Sequence, residues 1–130
     1  MRAAARGVHI DILLSHWVTG PGSEEKLGAL TTAPGVTLKI VTIPDDPAGF
    51  IPFARVAHAK YMVVDGRTAW VGTSNFSGDY FHQSRNVGVV IEGGVFAQRL
   101  IAVFQRLWSG PYVETYDPAR HATVKPRIAR

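Results

Sequence analysis

Cysteine is absent from this 130-residue chain. That excludes disulfides, thiolate metal sites and a cysteine nucleophile, and it leaves the redox compartment undetermined. No apolar run approaches the roughly 18–20 residues that a membrane-spanning helix needs. The amino terminus carries Arg2 and Arg6, but His9 and Asp11 interrupt the apolar run after Gly7, which makes a poor signal peptide. The cellular address therefore stays open. Charge is sparse as well: 18% of residues are charged against 46% hydrophobic, a globular composition with no disordered or fibrous bias. No carboxylate stands at short spacing from two histidines, so metal-independent, cofactor-free chemistry is expected.

The net charge of +4 invites a polyanion-binding reading, yet the charge is unevenly placed. After position 116, Arg120, Lys125, Arg127 and Arg130 face one acid, Asp117, and the rest of the chain is nearly neutral. Residues 117–130 are expected to form a basic tail, which could attract polyanions or simply stay solvated. Residues 1–116 suit one domain with a real core.

Arg2 to Arg6 are good helix formers and Gly7 suits a left-handed stop, so a short helical turn is expected, as if the last turn of a helix begun upstream. Val8, Ile10, Ile12 and Leu14 alternate as a strand does. Ser23-Glu24-Glu25 opens a helix that runs to about Thr32, and Pro34-Gly35 stops it. Val36 to Ile43 reads as a second strand, and strand–helix–strand in this order implies parallel pairing. Asn86 to Ile91 is another strand. Val95 to Trp108 is a helix with Phe96, Leu100, Val103, Phe104 and Leu107 as its core-facing stripe. The class is α/β, a mixed β-sheet with flanking helices.

The most informative stretch is His58 to Asn75, HAKYMVVDGRTAWVGTSN. Two short runs rich in Val, Tyr, Met and Trp flank Asp65-Gly66, a strong hairpin signal. Folding back at that turn brings His58 and Lys60 toward Thr73, Ser74 and Asn75. With a turn over Asp65–Thr68, His58 falls opposite Asn75; a shorter loop moves it opposite Ser74 or Thr73. Lys60 meets the Val71–Gly72 region either way. An ammonium, a carboxamide and a hydroxyl can hold an oxyanion, Gly72 adds no side chain to obstruct it, and an imidazole can attack or donate a proton. Asp65, seven strand residues from His58, is roughly 23 Å away at about 3.3 Å per residue. A turn role fits it better.

HxKxxxxD, followed six residues later by G-T-S-N, resembles the HKD motif of the phospholipase D superfamily. Thr73 stands where that family usually has Ser. Arg6-Gly7-Val8, IPFARVAHAKYMV, GTSNFSGDYF and RLWSGPY extend the resemblance to the carboxy-terminal half of a branch containing lysosomal 5′-exonucleases of single-stranded nucleic acid. The resemblance implies a phospholipase D-like half-domain over residues 1–116, without the strands that usually precede Arg6-Gly7-Val8. Two such halves meet in that family, one His forming a phosphohistidine and the other protonating the leaving alcohol. His58 is then nucleophile or general acid, with the acid favoured if a partner half exists. Lys60 and Asn75 stabilise the phosphoryl charge, Thr73 and Ser74 contact substrate, and Asp65 and Gly72 support the motif. Many members place Asn-x-Glu after the motif; Asn86-Val87-Gly88 supplies no acid. One motif implies a second half, supplied by a second copy or a separate chain. Single-stranded nucleic acid is the favoured phosphodiester, phospholipid the alternative, and a non-catalytic half that binds phosphate or a partner a third reading.

Lesser candidates are His16-Trp17 just past a strand end, and His82 and Arg85 after the motif; each could touch substrate. Arg55 reads as a surface residue, His9 as outward-facing and His121 as part of the tail.

Overall fold

The computed structural model describes residues 2–19, 22–51 and 54–121. Lys125, Arg127 and Arg130 of the expected tail lie outside the described residues, as do Pro52 and Phe53 of the segment leading into the motif. The chain is α/β, and its strands form two three-stranded sheets. These belong to two compact units, residues 1–57 with 110–130, and residues 58–109.

In the first unit, a 3-10 turn over Ala4–Arg6 ends on Gly7 at φ +83°. β1 (Ile10–Ser15) pairs in parallel with β2 (Val36–Val41), joined through α1 (Glu24–Thr31). Gly22 N–H donates to Glu24 Oε2 at 2.7 Å ahead of that helix. β2 is central because a short strand absent from the sequence reading, β6 (Val113–Thr115), pairs antiparallel on its other side. Leu38 and Ile40 of β2, Leu27 of α1 and Tyr116 form the buried core, with Ile12, Leu14 and Leu30 packed against it. Full burial of such side chains stabilises by about 1.5–3 kcal/mol each.

The beginning of the expected tail is folded. Pro118–His121 forms a helical turn, α4, and His121 is buried. Its Nδ1 accepts the Asp117 N–H at 3.0 Å, its Nε2 reaches Glu114 Oε1 at 3.0 Å, and its ring stacks on Tyr116.

In the second unit, β3 (Tyr61–Val64), β4 (Thr68–Gly72) and β5 (Gly88–Glu92) form an antiparallel meander. A five-residue helix, α2 (Gly78–His82), occupies the connection after Asn75, and α3 (Gly94–Trp108) follows β5. The buried stripe of α3 is rotated from the one expected. Ala97 is fully buried and Leu100, Ile101, Phe104, Leu107 and Trp108 are half-buried, whereas Phe96 and Val103 are exposed. Ala97 has no bulk to hold the helix away from the sheet, so the helix settles on that side.

Candidate functional site

The hairpin turn has three residues, Asp65, Gly66 and Arg67. Val64 pairs with Thr68, one position short of the longer loop weighed from sequence. Asp65 at φ +51° and Gly66 at φ +64° occupy consecutive left-handed positions, and Arg67 N–H returns to Val64 O at 3.1 Å. This is the turn that matches strand twist, and Asp-Gly accommodates it at low cost. Asp65 is exposed there, at the opposite end of the hairpin from His58. A shallow cleft of about 360 Å³ lined by Gly93, Gly94 and Phe96 lies toward that turn end, because Glu92 pairs with Thr68.

At the open end, Gly72 N–H donates to Lys60 O at 3.1 Å, which continues the ladder one step past Tyr61. Counting on in the same register sets His58 opposite Ser74. His58 is exposed, Lys60 half-buried and Asn75 half-buried. Lys60 Nζ donates to His58 O at 2.7 Å, and partial burial holds its ammonium below the usual lysine value. An ammonium short of full hydration suits an incoming anion better than a cation.

The hydroxyls differ in placement. Ser74 is only 4% exposed and faces the interior rather than solvent. Thr73 is exposed, but its hydroxyl bridges to the start of β5: it bonds Asn86 Oδ1 at 3.0 Å and accepts the Val87 N–H at 3.1 Å. Asn86 Nδ2 in turn donates to Tyr80 O at 2.8 Å. The residue that begins Asn86-Val87-Gly88 therefore ties Thr73 to α2.

Gly72 does not open a path to the site. An added Cβ there would meet Trp70 Cζ2 at 2.5 Å and Cη2 at 2.8 Å, and one on Gly88 would meet Trp70 Nε1 at 2.6 Å. The two glycines, paired across β4 and β5, make a seat for the Trp70 indole. The indole contacts Phe76, and Phe76 contacts Phe81. Sequence reasoning missed this row. Its signal was an aromatic residue followed two positions later on the same strand face by glycine.

The lesser candidates separate between the units. His82 and Arg85 are exposed around the end of α2. Arg55 belongs to the first unit, where Nε donates to Pro44 O at 2.8 Å and the guanidinium faces Asp46. His16 lies there too, in a 3-10 turn over His16–Val18, with Nδ1 buried and unbonded among the described residues and its pKa lowered chiefly by burial. His9 is exposed beside Asp11. Among the described residues no group of three or more His, Cys, Asp or Glu converges as a metal site would.

Comparison with known proteins gives this architecture a family. Residues 1–108 match the model described as cardiolipin synthase, PLD-like domain. Phospholipase D Z of Dictyostelium discoideum is 38% identical over 123 residues, covering 89% of this chain and 29% of that protein. The 5′-3′ exonuclease PLD3 of Rattus norvegicus is 38% identical over 131 residues, covering 90% of this chain and 26% of that protein. The chain thus spans less than a third of the length of these curated relatives. Among solved structures, NucT from Helicobacter pylori aligns with a TM-score of 0.75 at 14% identity, covering 88% of this chain and 69% of that one, a likeness of fold. With the match spanning nearly the whole described chain, this protein belongs to the phospholipase D superfamily.

Proposed function

We propose that this chain contributes one half of a metal-independent phosphodiesterase site acting on single-stranded nucleic acid, with residues 1–116 as the phospholipase D-like half. The proposal is supported by the hairpin register, which pairs Lys60 with Gly72 and brings the segments carrying His58 and Asn75 to the open end of β3 and β4. The names of the exonuclease relatives support the substrate.

One imidazole cannot both bond to phosphorus and protonate the leaving group, so a second half is required. A histidine of that half attacks phosphorus while the bond to the leaving oxygen breaks. His58, as imidazolium, gives its proton to that oxygen. Neutral His58 then takes a proton from water, whose oxygen displaces the phosphohistidine nitrogen, and His58 is again imidazolium. Lys60 and Asn75 donate to the phosphoryl oxygens, where charge gathers in the transition state. Thr73 positions the strand end through Asn86 and Val87, and Ser74 braces it from inside; Asp65 shapes the turn and Gly72 seats Trp70. The second half comes from another copy or from a separate chain.

A phospholipid substrate is the second reading. It is supported by relatives named phospholipase D and by the exposed Met62 and Val64 beside Lys60 on β3. A half that binds phosphate without turnover is the third.

Purified protein is incubated with single-stranded DNA in EDTA, beside His58→Ala. Released nucleotides, lost at least about 10²-fold in the variant, are the expected result, since a proton-transfer group contributes about 10²–10⁴-fold. Equal activity in the variant rejects the proposal. Head-group release from vesicles without nucleotide release selects the phospholipid reading.

A further inference from the structure

Three aromatic rings stand in a row beside the hairpin mouth. Trp70 and Phe76 have ring centroids 5.3 Å apart with planes at 56°, and Phe76 and Phe81 are 6.4 Å apart at 40°. Phe76 is 62% exposed and Phe81 53% exposed, so the row ends in water rather than in a core. Its base is firmly set by the Gly72–Gly88 seat that holds the indole.

The row also lies on the right side of the sheet. Lys60 pairs with Gly72, and Trp70 lies two residues before Gly72, so strand alternation puts Lys60 and Trp70 on one face. Phe76 directly follows Asn75. Lys60 thus shares a sheet face with ring surface that is still open, and Asn75 is next to it in the chain. Aromatic rings pair at centroid distances of about 4.5–7 Å, offset or tilted, and the spacings within this row are of that kind. A planar nucleobase can extend it in the same geometry, whereas an acyl chain would draw on area alone.

Building on the phosphodiesterase reading, we infer that Trp70, Phe76 and Phe81 form a base-stacking shelf. A nucleobase of single-stranded nucleic acid lies on the exposed phenyl rings while its phosphodiester meets Lys60 and Asn75. Stacking of this kind is tolerant of sequence, because every base has a π-face. The shelf selects for a base, not for a particular one.

The test uses the full chain carrying His58→Ala, so that nothing is cleaved. Fluorescence anisotropy compares a short oligothymidylate with an abasic oligodeoxyribonucleotide of equal length. The oligothymidylate should bind at least about fivefold tighter, the lower end of what one stacked base contributes. Phe76→Leu and Phe81→Leu should bring the two probes within about twofold, with abasic affinity and its salt dependence unchanged. Phe76→Tyr keeps a ring and should keep the preference, which guards against a misfolded variant. Equal binding of the two probes before any shelf substitution overturns the shelf, and the phosphodiesterase reading survives if the unsubstituted chain still hydrolyses DNA. Binding of neither probe, with no hydrolysis, overturns both. Phosphatidylcholine vesicles bound through Phe76 without any base preference, or a light-scattering mass that falls in Phe76→Leu, would reassign the surface to acyl chains or to a second copy.

Discussion

Gly72→Ala should destabilise the β3–β5 unit through Trp70, and the size of the effect can be worked out. The Gly72 backbone is not in the left-handed region, so alanine meets no conformational penalty there. By itself such a change would add about 0.4–1 kcal/mol by restricting the unfolded chain. Against this, the new Cβ would stand 2.5 Å and 2.8 Å from Trp70 ring carbons and 3.0 Å from Val87 O. The indole must leave its seat, and overpacking of this kind costs about 1–3 kcal/mol. A net loss of roughly 1–2 kcal/mol follows. In a Trp70→Leu background the two ring contacts vanish and the tightest contact left is Val87 O at 3.0 Å, so the same substitution should cost less than about 0.5 kcal/mol. Native-state hydrogen exchange at β4 amides across the four proteins reads the unit concerned. An equal loss in both backgrounds would refute the seat, and with it the support of the aromatic row.

Two further outcomes concern single titratable side chains. Lys60 should lose its proton below the ordinary lysine value of about 10.4, observable by NMR of its side chain. Because the unfolded chain then holds that proton more tightly, stability of the unit should rise as pH climbs from the lowered folded value to the unfolded one, and Lys60→Met should abolish the rise. His121→Ala should cost about 1–3 kcal/mol in thermal or urea unfolding, since it removes a buried ring stacked on Tyr116 and leaves the Asp117 N–H short of a partner. A wild-type melting curve for that variant would mean that Pro118–His121 adds nothing to the fold.

Much of the architecture was legible because local chemistry dictated it. Asp65-Gly66 specified the turn, and the alternation of Ile10, Ile12 and Leu14 with α1 and β2 after them specified a parallel pair. The register was not legible, since three- and four-residue loops both suit Asp-Gly, and one residue separates His58 opposite Ser74 from His58 opposite Asn75. Nor was the division into two sheets, because periodicity identifies strands without naming their neighbours. β6 escaped notice at three residues and α2 at five, both shorter than any repeating pattern. On α3 two apolar stripes competed, and hydropathy favoured Phe96 and Val103 over the small Ala97 that packs closest. His121 looked like tail because its partners, Glu114 and Asp117, act through tertiary contacts that charge counting ignores. The candidate site was legible in its residue types; that Ser74 is buried, Thr73 tied to β5 and Gly72 filled by an indole came only from the fold.

The central claim is that this chain supplies half of a catalytic centre. Size-exclusion chromatography with light scattering, and an assay of nucleotide release from single-stranded DNA on every fraction, tests it directly. Hydrolysis should appear only where the measured mass is at least twice the 14.2 kDa of one chain, and be missing from monomer fractions. An activity peak that coincides with the 14.2 kDa species would contradict it.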